Sequence, residues 1–106
     1  MTEMVMEWET VSGHRAIVPR RVVYRSLVTE TVLLNIETGL YHGMDETGSR
    51  FFSALQESET LEDAVTLLGS EFDAPVERLR EDMLHYCSDL MGRGLLELEG
   101  PGDRSG

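Results

Sequence analysis

The stretch Val32-Leu33-Leu34-Asn35-Ile36-Glu37-Thr38-Gly39-Leu40-Tyr41-His42-Gly43-Met44-Asp45-Glu46-Thr47-Gly48 decides the fold. Val32, Leu34 and Ile36 alternate with Leu33 and Asn35, the two-residue period of a strand. Thr38-Gly39 then reads as a tight turn, the glycine being free to take positive φ. Leu40 to Met44 returns as a further strand, with Leu40, His42 and Met44 on one face and Tyr41 and Gly43 on the other. At Asp45 the period changes, and this residue is placed to cap a helix carrying Phe51, Phe52 and Leu55 at helical spacing.

Working backward, Val22, Val23, Tyr24, Leu27 and Val28 are β-branched, aromatic and aliphatic residues suited to a pleated surface. They form a first strand, separated from the second by the polar Thr29-Glu30-Thr31. Three antiparallel strands joined by short turns make a meander, and the third strand has no later strand to cover its edge. Working forward, Thr60 caps a second helix, with Asp63 completing an approximate capping box. Its stripe is Leu61, Ala64, Val65, Leu68 and Phe72. Asp73-Ala74-Pro75 opens a third helix, with the stripe Val76, Leu79, Met83, Tyr86, Cys87 and Leu90; Gly92 and Gly94 end it. Leu95, Leu96 and Leu98 follow as a short apolar finish, readable as a strand or as coil. Strands followed by helices give an α+β class.

The sequence has 106 residues, enough for one domain, divided into a partly ordered arm over 1–19, a domain over 20–98 and a disordered tail over 99–106. Trp8 and Ile17 are the arm residues able to pack on the domain. No apolar run approaches the roughly 20 residues of a membrane span. The acidic start lacks the basic flank and apolar core of a secretory signal, so a cytoplasmic location is expected. The formal charge is −11, with nine arginines and no lysine against 20 acidic residues. That balance disfavours nucleic acid and anionic membranes as partners. It leaves open a peptide, bound through main-chain hydrogen bonds and apolar pockets.

No motif for catalysis is present: there is no Gly-x-Ser-x-Gly elbow, phosphate loop or His-Glu-x-x-His. His85 and Cys87 lie two apart on a helix and point to different faces, so they do not make a metal site. Cys87 falls in the apolar stripe, where a lone thiol serves as a small hydrophobe. No enzyme and no cofactor are expected.

The hairpin running into its helix resembles the PqqD-like family, named for the pyrroloquinoline quinone biosynthesis protein D. Its members share an aliphatic strand, an acidic residue with Thr-Gly, then Tyr and a short run into Asn-Glu-x-Gly. Here Met44-Asp45-Glu46 stands where Leu-Asn-Glu is more usual, and Asp73-Ala74-Pro75 is a residue shorter than the common pattern. Leu90, Arg93, Gly94 and Leu95 are similar to the family's closing pattern. The resemblance covers about residues 22–98, and the hairpin looks closest to free-standing proteins of lasso-peptide pathways.

The resemblance implies a winged-helix-like domain that acts as a RiPP recognition element. Such an element binds the leader of a ribosomally synthesised precursor and delivers it to a separate modifying enzyme or leader peptidase. The leader would add as a strand, antiparallel to Leu40, Tyr41, His42, Gly43 and Met44, clamped against Leu79, Asp82, Met83 and Tyr86 of the third helix. Two rival readings come from other classes. One is a winged-helix DNA-binding regulator, which the acids Glu77, Glu81, Asp82 and Asp89 of that helix disfavour. The other is an adaptor whose free edge pairs with a second copy in a homodimer.

Overall fold

The computed structural model describes residues 7–27 and 29–100. The three expected strands are β2 (Val22–Ser26), β3 (Thr31–Asn35) and β4 (Tyr41–Met44), in the spatial order β2-β3-β4 with both neighbouring pairs antiparallel. The turn between β3 and β4 is built by its own side chains. The Asn35 Oδ1 accepts from the Glu37 and Thr38 amides at 2.9 and 3.3 Å, and the Thr38 hydroxyl accepts from the Leu40 amide at 3.2 Å. Gly39 completes it at φ +79°, a conformation that a side chain would strain.

Three helices follow: α2 (Glu46–Glu57), α3 (Leu61–Gly69) and α4 (Val76–Gly92). Asp45 caps α2 by accepting from the Gly48 amide, and Thr60 caps α3 by accepting from the Asp63 amide. Pro75 is the N-cap of α4, which ends where Gly94 turns to φ +73° and the Leu95 amide bonds back to the Leu90 carbonyl at 2.9 Å. The stripes meet in one core: Phe52, Leu61, Val65, Leu68, Met83, Cys87 and Leu90 are buried there. Val76, the first residue of the expected α4 stripe, is instead exposed, because it stands in the first turn ahead of the contacts made from Leu79 onward.

Three further elements frame this domain: α1 (Trp8–Val11), β1 (Arg15–Ile17) and β5 (Glu97–Glu99). The strands β1 and β5 pair antiparallel in a separate two-stranded sheet, Ala16 opposite Leu98. Val11 and Ala16 join the core, as do Leu95 and Leu96. Trp8 packs against that core and donates its indole N–H to Glu62 at 3.0 Å, while the Arg80 guanidinium lies 5.7 Å from its ring centre. The Leu61 and Glu62 amides bond to the His14 and Ser12 carbonyls, fastening the arm to the start of α3. Glu99, in β5, is opposite Arg15; the expected tail from residue 101 onward, like residues 1–6 of the arm, lies outside the described residues. Among the described residues no helix is long and apolar enough to cross a membrane.

Candidate functional site

The register fixes which groups β4 leaves free. The Asn35 amide bonds to the Leu40 carbonyl, and Leu33 pairs with His42, Val32 with Gly43 and Leu34 with Tyr41. Antiparallel ladders alternate between bonded and non-bonded pairs. Counting from Leu40, His42 and Met44 turn their main-chain groups toward β3. Tyr41 and Gly43 turn theirs outward, away from the sheet. Each presents one N–H and one C=O along an edge to which no strand is bonded among the described residues. A Cβ built on Gly43 meets nothing within 4 Å, so the outer face of the sheet is open at this position.

Residues 82–89 of helix α4 share a cavity with Asp45 just past the end of β4, and Arg93 shares one with Leu40 to His42 at its start, so the helix runs in the opposite sense to β4. Its buried stripe, Leu79, Met83, Cys87 and Leu90, holds it to the core, which leaves Asp82, His85, Tyr86 and Asp89 on the side toward α2. Tyr86 ties the two together: its hydroxyl donates to the Gly48 carbonyl at 2.8 Å, 3.2 Å from the Met44 sulfur. Its ring lies 5.3 Å from that of Phe51. Burial, then the neighbouring Cys87 and Asp45, push the Tyr86 phenol well above its ordinary range, so it remains a donor at any physiological pH.

Two open cavities flank the edge. One, of about 420 Å³, lies between the start of α2 and α4, lined by Asp45, Thr47, Gly48, Phe51, Asp82, His85, Tyr86 and Asp89. The other, of about 360 Å³, lies at the opposite end of β4, lined by Asn35, Thr38, Leu40, Tyr41, His42, Arg93 and Leu95. Asp82 pairs with Arg78 and Asp89 with Arg93, both one helical turn apart.

The structure thus brings Tyr41, His42, Asp82 and Tyr86 to the edge and its two cavities, with Leu40 beside them and 71% exposed. Met44 is buried at the end of β4, against the Tyr86 hydroxyl. Leu79 and Met83, expected on the clamp, are 3% and 0% exposed and line neither cavity. The sequence reading passed over Asp45, Thr47, Phe51, His85, Asp89, Arg93 and Leu95 as lining residues. A signal for the helical ones was there: positions 82, 85, 86, 89 and 93 repeat at three and four residues beside the apolar stripe.

The outer face of the sheet is a further feature. Val23, Val32, Leu34, Ile36 and Tyr41 share it, and Val23, Ile36 and Tyr41 are exposed among them. A shallow, almost wholly apolar depression lies between Val23, Leu27, Val32 and Leu34.

Comparison with known proteins bears on the family and the fold. The family model described as "Coenzyme PQQ synthesis protein D (PqqD)" matches residues 30–96. The chain is similar to a solved structure described as TbiB1 in complex with the TbiA(beta) leader peptide. The two are 31% identical, the match covers 76% of this chain and 93% of that one, and the TM-score is 0.71. A structure described as lasso peptide synthetase B1 complexed with the leader peptide shares the fold at 17% identity, over 78% of this chain and 98% of that one, with a TM-score of 0.71. No curated protein sequence matches the chain.

Proposed function

Because the chain belongs to the PqqD family, we propose that it is a non-catalytic RiPP recognition element acting in the cytoplasm. It binds the leader of a ribosomally synthesised precursor as a strand added to β4 and presents the attached core to a separate modifying enzyme or leader peptidase. The observation that carries this reading is the free edge of β4, with the outward main-chain groups of Tyr41 and Gly43 set between two cavities. Strand addition needs such unpaired groups for affinity and flanking pockets for selectivity. TbiB1, whose structure holds a leader peptide, is similar over most of the chain.

An added strand would also lengthen the outer face of the sheet, because its alternate side chains would stand beside Tyr41 and Gly43. In this reading the enzyme meets that apolar face, touching sheet and leader together. Its contact would then strengthen once the leader is in place, which is how a carrier without chemistry of its own can recruit the enzyme only when loaded.

The test is a titration with synthetic leaders from short open reading frames beside the gene, followed by amide chemical shifts. Low-micromolar or tighter binding is expected, with the largest shifts over Leu40 to Met44 and along α4. The companion variant is Gly43→Pro. Proline removes the outward N–H at 43 but no bond to β3, and edge positions facing solvent tolerate it. Its affinity should fall about tenfold or more while the far-ultraviolet spectrum is unchanged. Absence of binding by any leader, or full binding by Gly43→Pro, would overturn the strand-addition reading.

A further inference from the structure

The two cavities at the ends of β4 differ in charge. The one beside α2 is lined by three carboxylates, Asp45, Asp82 and Asp89, and by His85, with no arginine among its lining residues. The one at the other end carries Arg93 and His42 and no carboxylate. Both adjoin the same four-residue edge, so a peptide strand laid along it passes over both.

The sense of travel follows from the ladder. β4 runs from the Arg93 cavity toward the Asp82 cavity. A strand added antiparallel, the pairing used throughout this sheet, runs the other way, entering over the carboxylates and leaving past Arg93. From Asp82 to Arg93 the helix advances about 16 Å at its usual rise. An extended strand covers that distance in about five residues.

We infer that the groove reads the order of charge along its peptide: a basic residue in the N-terminal part of the bound segment, over Asp45 and Asp82, followed about five residues later by an acidic one facing Arg93. This rests on the leader-binding reading and narrows its substrate class. Orientation is then set electrostatically as well as by hydrogen bonds. The same segment entered in the reverse sense would set Arg93 against its basic residue and Asp82 against its acidic one. Juxtaposed like charges suppress wrong registers more strongly than matched ones raise affinity. The ion pairs Arg78–Asp82 and Arg93–Asp89 are exposed. Such pairs are worth little to the fold, so a ligand charge can compete for either partner.

The experiment uses the full chain with the leader that binds it, and the variants Asp82→Lys, Arg93→Glu and both together. Each single reversal should weaken binding about three- to tenfold at low ionic strength, and the difference should shrink toward nothing in roughly 0.5 M salt. A leader with its basic and acidic residues exchanged should bind the natural chain poorly and regain affinity for the double variant. Thermal melts of the variants should match the natural chain, since both sites are on the surface. If the natural chain binds and neither reversal nor salt changes the affinity, the charge-order inference falls while the leader reading stands. Tighter binding by the reversed variants would likewise overturn it, by showing that the peptide runs the other way. If no leader binds the natural chain, both fall together.

Discussion

The two faces of the β2-β3-β4 sheet carry similar side chains and have opposite surroundings. On the inner face Val22, Leu33 and Met44 are sealed against the helices, and Tyr24 meets Phe52 edge-on at 4.8 Å. On the outer face Val23, Ile36 and Tyr41 are comparably apolar yet exposed, and Leu34 is only half-buried. Hydrophobicity therefore does not by itself say which face of a sheet is structural. The helices can cover one face only, and apolar residues kept on the other stand ready for something outside the fold.

The sharpest way to break this contrast is to exchange the burden of adjacent residues. Leu33→Ala should cost about 2–5 kcal/mol, because it removes a wholly buried side chain and leaves a cavity; urea unfolding will measure it. A loss below about 1 kcal/mol would mean that the inner face is not the structural one.

The second effect is a dependence on pH. Burial pushes the Cys87 thiol up to about 12, so the native state holds its proton more tightly than the unfolded chain does. The contribution is fully present below the unfolded thiol's pKa. It is lost as pH rises from there through about 12, as the unfolded state releases the proton first. Urea midpoints taken at increasing pH should fall across that window, and less so in Cys87→Ala once the loss due to the cavity is subtracted. At neutral pH the thiol should resist iodoacetamide until the chain unfolds.

A smaller effect is expected from Tyr86→Phe, which deletes the bond to the Gly48 carbonyl. It should lower stability by about 1 kcal/mol while shifting amide resonances at the start of α2. The smallest is on the outer face. The double change Val23→Ser and Ile36→Ser should move stability by no more than about 1 kcal/mol, yet reduce the leader-dependent contact with the enzyme. Unfolding of that variant would erase the distinction between the faces.

Much of the helical layer was legible because its signals are local. Asp45 and Thr60 cap where their side chains and the following stripes said they would, and Gly39 turns where Thr38-Gly39 promised a turn. The choice of face was not legible, since Val32, Leu34 and Ile36 show a period without showing what lies opposite. On α4 the expected clamp residues fall on two rows, one buried and one lining a cavity. Leu79 and Met83 share the helix with Asp82 and Tyr86, but the apolar pair is drawn inward by the same force that closes the core. The strand β1 and its pairing with β5 escaped for another reason. Three residues carry no usable period, and their partner lies at the far end of the sequence.

That last pairing has a kinetic consequence. Ala16 and Leu98 stand about 80 residues apart, a separation that would cost a fully flexible chain roughly 4 kcal/mol to close, so this pairing waits on the elements between them. The hairpins and helices between them are held by much shorter loops and can form first. The β1–β5 ribbon is then the last part to assemble and the first to open. Its amides should exchange with solvent at lower free energy than those of α3 or α4, through excursions that leave the β4 edge intact.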